Sequence, residues 1–174
     1  MTRYAAFLRG VNLGKRTVKS AELNAAFEDM GFGNVKTLLA SGNVLFDAPA
    51  SKALKTRIET GLKGTFGFEI LVVLRSIDEL KAMVASNPYG REEGEDAKLH
   101  VILFDEPVLA GLKLKTIAGD FDYARVDPRE AFLIAYKKPD GTYLGGSALA
   151  IEKEVPKKAL MTARNWNTIL KAIA

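Results

Sequence analysis

The stretch MTARNWNT, residues 161–168, gathers Arg164, Asn165 and Asn167 around the one tryptophan of the chain, Trp166. Arginine presents a planar fork of N–H donors that fits a carboxylate or a phosphate, and each asparagine offers donors and an acceptor together. Asparagine is a poor residue for a helix interior, so helix propensity does not explain the cluster. Trp166, Ile169, Leu170 and Ile173 follow the i, i+3, i+4, i+7 spacing of a helix. With Thr162 as its N-cap, Ala163, Arg164 and Asn165 form the first turn. A cation there opposes the helix dipole by about 0.3–1 kcal/mol, whereas the free N–H groups of that turn attract an anion. Arg164, Asn165 and Asn167 are therefore candidate ligands for an anionic group. The competing reading is that they tie the helix to loop carbonyls. Trp166 heads the apolar stripe and is read as core.

Two further segments carry polar groups beside glycines. FLRGVNLG (7–14) places Arg9 at a strand end, followed by Gly10, Asn12 and Gly14. A Gly-rich loop between strand and helix allows close backbone approach, but it matches neither GxGxxG nor a P-loop. SGN (41–43) suits the tip of a hairpin. If the two halves of the chain pack face to face, Arg9, Asn12, Ser41, Asn43, Arg164 and Asn167 would line one polar cleft.

Other chemistries find less support. The chain has no cysteine and one histidine, His100, within the strand-like KLHVILF. That removes thiolate chemistry and multi-histidine metal sites, and no GxSxG elbow is present. No metal motif and no cofactor motif emerges, and no nucleophile or general base stands out. The acidic run REEGED (91–96) reads as a solvated loop. A formal net charge of +4 permits an anionic partner without demanding one. With no signal peptide and no membrane span expected, the protein is read as soluble and cytoplasmic.

These groups are positioned by a regular order of elements. Strands are expected over 3–10, 34–40, 43–48 and 68–76, with helices opened by Ser20 and Ser51 between them. That order, β-α-β-β-α-β, is the ferredoxin-like split βαβ arrangement. Ser76 and Glu79 form a capping box for a further helix, which Asn87 and Pro88 end. The second half restarts with a strand over 98–104, a helix over 106–118, strands over 121–126 and 131–136, a possible short helix near SALAIEKE, and the final helix. The boundary falls at the acidic loop, giving subdomains 1–86 and 87–174 within one α+β body.

FLRGVNLG, GFGNVKTLLASGNVLF (31–46) and TARNWNT (162–168) together resemble the signatures of the domain-of-unknown-function 1697 family of bacterial proteins. That family reads as an LRGIN-V-G segment, a helix ending in GF-NV, an SGN-VF hairpin and a C-terminal T-RNWNT. Lys15 departs from it, standing where a second glycine is common. The resemblance implies an α+β fold of two ferredoxin-like subdomains and implies no reaction, substrate or cofactor.

The sequence thus favours a binding module for a small anionic ligand, such as a nucleotide or phosphorylated metabolite. A protein-interaction module whose motifs are structural comes next. RNA binding follows, and would need Phe121, Tyr123, Phe132 and Tyr136 exposed on a sheet face.

Overall fold

The computed structural model describes residues 1–11, 17–39, 42–143 and 147–174. Contacts divide the chain into unit 1, Met1–Ala82 with Lys171–Ala174, and unit 2, Met83–Leu170.

Unit 1 runs β1 (Thr2–Arg9), α1 (Ser20–Asp29), β2 (Gly33–Leu38), β3 (Asn43–Ala48), α2 (Leu54–Phe66) and β4 (Leu71–Ser76), followed by α3 (Ile77–Ala85), whose residues from Met83 on belong to unit 2. Its sheet has the order β2-β3-β1-β4 and is antiparallel throughout, as the ferredoxin-like reading requires. Ala6, Leu8, Val44, Phe46 and Val72 occupy one face and meet Leu23 and Phe27 of α1 and Ile58 and Leu62 of α2. The rings of Phe27, Phe32 and Phe46 lock this core, with centroids 4.8–6.0 Å apart. The other face is buried too, at Ala5, Phe7, Leu45 and Val73, which is why β1 and β4 read as unbroken apolar runs.

The helix starts differ in detail from expectation. Lys19, not Ser20, is the N-cap of α1 and makes no side-chain cap bond. Ser51 lies one turn ahead of α2: its hydroxyl accepts the Ala53 N–H at 3.1 Å, and Ala53 is the N-cap. The capping box of α3 forms as expected, with Ser76 N to Glu79 Oε2 at 2.7 Å and Glu79 N to Ser76 Oγ at 3.1 Å. Asn87, with φ +48°, turns the chain after α3.

Unit 2 contains β5 (Ala97–Phe104), β6 (Phe121–Val126), β7 (Glu130–Tyr136), a 3-10 helix over Ser147–Lys153, β8 (Met161–Asn165) and the start of α4 (Trp166–Ile173), whose residues from Lys171 on belong to unit 1. The sheet order β6-β7-β5-β8 repeats that of unit 1 strand for strand. The helix expected over 106–118 does not form. Leu109 N–H goes to Pro128 O at 3.1 Å and Lys115 N–H to Glu154 Oε1 at 2.8 Å, so tertiary partners take the donors a helix would use. Gly111, at φ +77°, also breaks helical geometry. Leu109 still reaches the core formed by Ile102, Phe104, Phe121, Leu133 and Ile151. Unit 2 is thus ferredoxin-like in its sheet, with an irregular segment and a 3-10 turn in place of the two crossover helices. No helix among the described residues is long and apolar enough to cross a membrane.

Candidate ligand-binding site

The C-terminal motif is a strand followed by a helix, not the first turn of one. Met161–Asn165 pairs antiparallel with β5, from Met161 opposite Phe104 to Asn165 opposite His100. The β5 edge needs hydrogen-bond partners, and that requirement outweighs the local helix signal. Arg164 therefore does not stand at a helix N-terminus. It lies opposite Val101, which pairs with Phe132, which pairs with Arg125, so two arginines end one row across the sheet. Arg125 sits 4.9 Å over the Phe132 ring and donates to Ser86 Oγ and Asp127 Oδ2, both at 2.9 Å. Arg164 donates to Thr162 Oγ1 and to Ala163 O. Burial lowers its pKa to about 10, leaving it cationic at neutral pH.

Asn165 and Asn167 go elsewhere. Asn165 immediately precedes α4, where asparagine is a favoured residue, and alternation along β8 sends its side chain to the face opposite Arg164. Asn167 is exposed in the first turn of α4. Each lines a recess of unit 2.

The first recess has a volume of about 350 Å³. Its buried lining is Pro88, Tyr89, Leu99 and Trp166, and its outer lining includes Asn167, Arg91, Glu92 and Glu93. Trp166 is the core residue its spacing predicts, packed edge-on against Tyr89 at 5.0 Å and Phe132 at 6.1 Å. The Tyr89 hydroxyl donates to His100 O, and burial raises its pKa. Arg91 grips Asp96 through two hydrogen bonds, at 2.7 and 2.9 Å, and so holds that carboxyl below the usual range.

The second recess, about 440 Å³, is lined by Glu93, Lys98, His100, Tyr143 and Asn165. Glu93 lines both recesses. Its Oε2 accepts the Leu99 N–H at 2.9 Å, and its Oε1 lies 3.5 Å from Lys98 Nζ. His100 is half-buried, and burial lowers its pKa, with Glu93 opposing.

In unit 1, Arg9 is exposed at the end of β1, opposite Leu71. Asn43 is buried and its amide donates to Leu38 O at 3.1 Å, closing the hairpin at its base. Gly42, at φ +71°, accepts from Leu8 N–H at 2.9 Å; a Cβ there would meet Val11 Cγ2 at 3.0 Å. The hairpin tip therefore requires glycine for both conformation and space. Asn12 and Ser41 lie outside the described residues. Phe121 and Phe132 are buried, and Tyr123 and Tyr136 half-buried, so none of the four forms an exposed stacking surface.

Sequence reasoning passed over Tyr89, Arg91, Glu93 and Lys98. REEGED is fastened rather than merely solvated, through Arg91–Asp96 and Glu93 to the Leu99 amide. The available signal was its position: an acidic loop feeding directly into a strand with Lys98 and His100 at alternate positions.

Residues 1–132 match the family model described as a protein of unknown function (DUF1697), and the chain belongs to that family. The TARNWNT motif lies beyond the matched part. The fold is similar to that of a conserved bacterial protein, SP0830 from Streptococcus pneumoniae, with a TM-score of 0.68 and 23% identity over 98% of this chain and 96% of that one. A search of curated proteins finds no significant match.

Proposed function

We propose that the protein is a binding module for a small organic anion, seated in the first recess of unit 2. The observation that carries this is the lining: buried Tyr89, Leu99 and Trp166 beside the polar groups of Asn167 and Arg91 in about 350 Å³. An apolar hollow with a few convergent polar groups is the usual form of a ligand site. A carboxylate entering it would take the place of Asp96 at Arg91. Glu92 and Glu93 in the same lining repel a multiply charged phosphate more strongly than a single carboxylate, so this reading favours a monocarboxylate with an apolar body over a nucleotide or phosphorylated metabolite.

Trp166 fluorescence, titrated with benzoate and with benzamide, tests this. Benzoate should change the signal saturably, more tightly in Asp96→Asn and far more weakly in Arg91→Ala. A ligand at a hundred times its Kd should add about 2.7 kcal/mol to stability. No saturable response to benzoate or a panel of aliphatic carboxylates would sink the proposal. An unchanged response in Arg91→Ala would do the same.

A second reading, an interaction module with structural motifs, is favoured by one observation. Asn43 and Arg164 both spend hydrogen bonds on nearby backbone carbonyls, Leu38 O and Ala163 O.

A further inference from the structure

The second recess of unit 2 has a chemistry of its own. Lys98 and Glu93 place opposite charges 3.5 Å apart in it, on side chains 42% and 38% exposed. Glu93 is anchored through its other oxygen to the Leu99 amide, so the carboxylate keeps its position if Lys98 moves away. Lys98 also lies 5.5 Å from the centre of the Tyr143 ring. His100 and Asn165 stand opposite each other in the β5–β8 ladder, so their side chains project from the same side of the sheet. A neutral imidazole carries one donor and one acceptor, and a carboxamide carries both kinds. The lining therefore offers one positive charge, one negative charge and two groups that both give and accept hydrogen bonds.

This balance selects against ligands of net charge. An anion drawn to Lys98 meets Glu93, and a cation drawn to Glu93 meets Lys98. A molecule carrying both charges satisfies both. We propose that this recess binds a small zwitterion of the α-amino acid class, with its carboxylate on Lys98, its ammonium on Glu93, and its polar side chain hydrogen-bonded by His100 and Asn165. The two charged groups of an α-amino acid share one carbon, so together they span a pair as close as Lys98 and Glu93. An exposed ion pair adds little to stability, so opening it to a ligand costs the fold little. The inference does not depend on the anion proposed for the other recess.

The chain has one histidine and one tryptophan, one in each recess. The imidazole NMR signal of His100 and the fluorescence of Trp166 therefore report the two sites separately. L-Glutamine, L-lysine, L-glutamate and glycine, each at millimolar concentration, are the probes, with acetate and inorganic phosphate as controls. At least one amino acid should shift the His100 signal saturably while Trp166 stays unchanged, and the controls should not. Binding should weaken about tenfold or more in Lys98→Met and in Asn165→Ala, and should survive in Lys98→Arg. The urea midpoint of each variant establishes that it is folded. No saturable His100 shift with any of the four amino acids overturns the proposal. An equal shift with acetate or phosphate, or undiminished binding in a folded Lys98→Met, overturns it as well.

Discussion

Unit 1 and unit 2 carry sheets of the same strand order and cover them differently. In unit 1, α1 and α2 close one face with Leu23, Phe27, Ile58 and Leu62. In unit 2, the segment between β5 and β6 makes no helix, and Leu109 with partly buried Val108 and Leu114 contributes to the core from irregular backbone. The order of the strands is thus separable from the kind of layer laid over it. What the sheet requires is apolar cover and a partner for each backbone group. A helix supplies the second internally. An irregular segment must find partners elsewhere, as Leu109 does at Pro128 O and Lys115 at Glu154. Both recesses belong to unit 2: the first is lined by the loop after α3, by β5 and by the start of α4, the second by β5, the end of β8 and the loops that carry Glu93 and Tyr143.

The comparison can be tested by deletion. Phe46→Ala removes a ring in contact with three aromatic neighbours of unit 1 and should cost about 3–5 kcal/mol in urea unfolding. A loss below about 1 kcal/mol would deny unit 1 its rigid packing. Next in size come two leucines, Leu62 under α2 and Leu109 in the irregular segment, 0% and 2% exposed. Truncation to alanine costs about 2–5 kcal/mol, according to how far the site collapses. Leu62→Ala should fall toward the upper end and Leu109→Ala near 2 kcal/mol, because irregular backbone can close over a void more readily than a helix. Equal losses would erase the distinction between the two covers.

The smallest effect is expected from His100. Burial lowers its folded pKa below the ordinary 6.5, so the unfolded chain takes up this proton first as pH falls. Stability should therefore be full above pH 6.5 and decline as pH drops through that value toward the folded pKa. His100→Asn should flatten this part of the stability curve. Because the chain has no second histidine, urea midpoints compared between about pH 5 and 8 assign the effect to unit 2. A curve unchanged by the substitution would mean His100 is as solvated as in the unfolded chain.

Much of the fold was legible before the structure. Periodicity places β3 and β6 at their observed bounds and the other strands of the expected set within a few residues, and the Ser76–Glu79 capping box forms as read. Those features depend on contacts within a few residues along the chain. The site was less legible. Trp166 is core and Asn165 and Asn167 each line a recess, yet Arg164 turns to the opposite face of its strand. Tyr89, Arg91, Glu93 and Lys98 belong with those asparagines only because β8 returns to pair with β5, bringing residues more than sixty positions apart into one lining.

The sequence by itself determined the alternation of strands and helices in unit 1, the hairpin joined at SGN, and the apolar stripe of α4. Local sterics and hydrophobic spacing suffice for each. Only the tertiary structure decided that 106–118 would forgo a helix and that Met161–Asn165 would be a strand. In both places long-range partners for backbone hydrogen bonds outweighed local preference, and the position of Arg164 followed from the second of those choices.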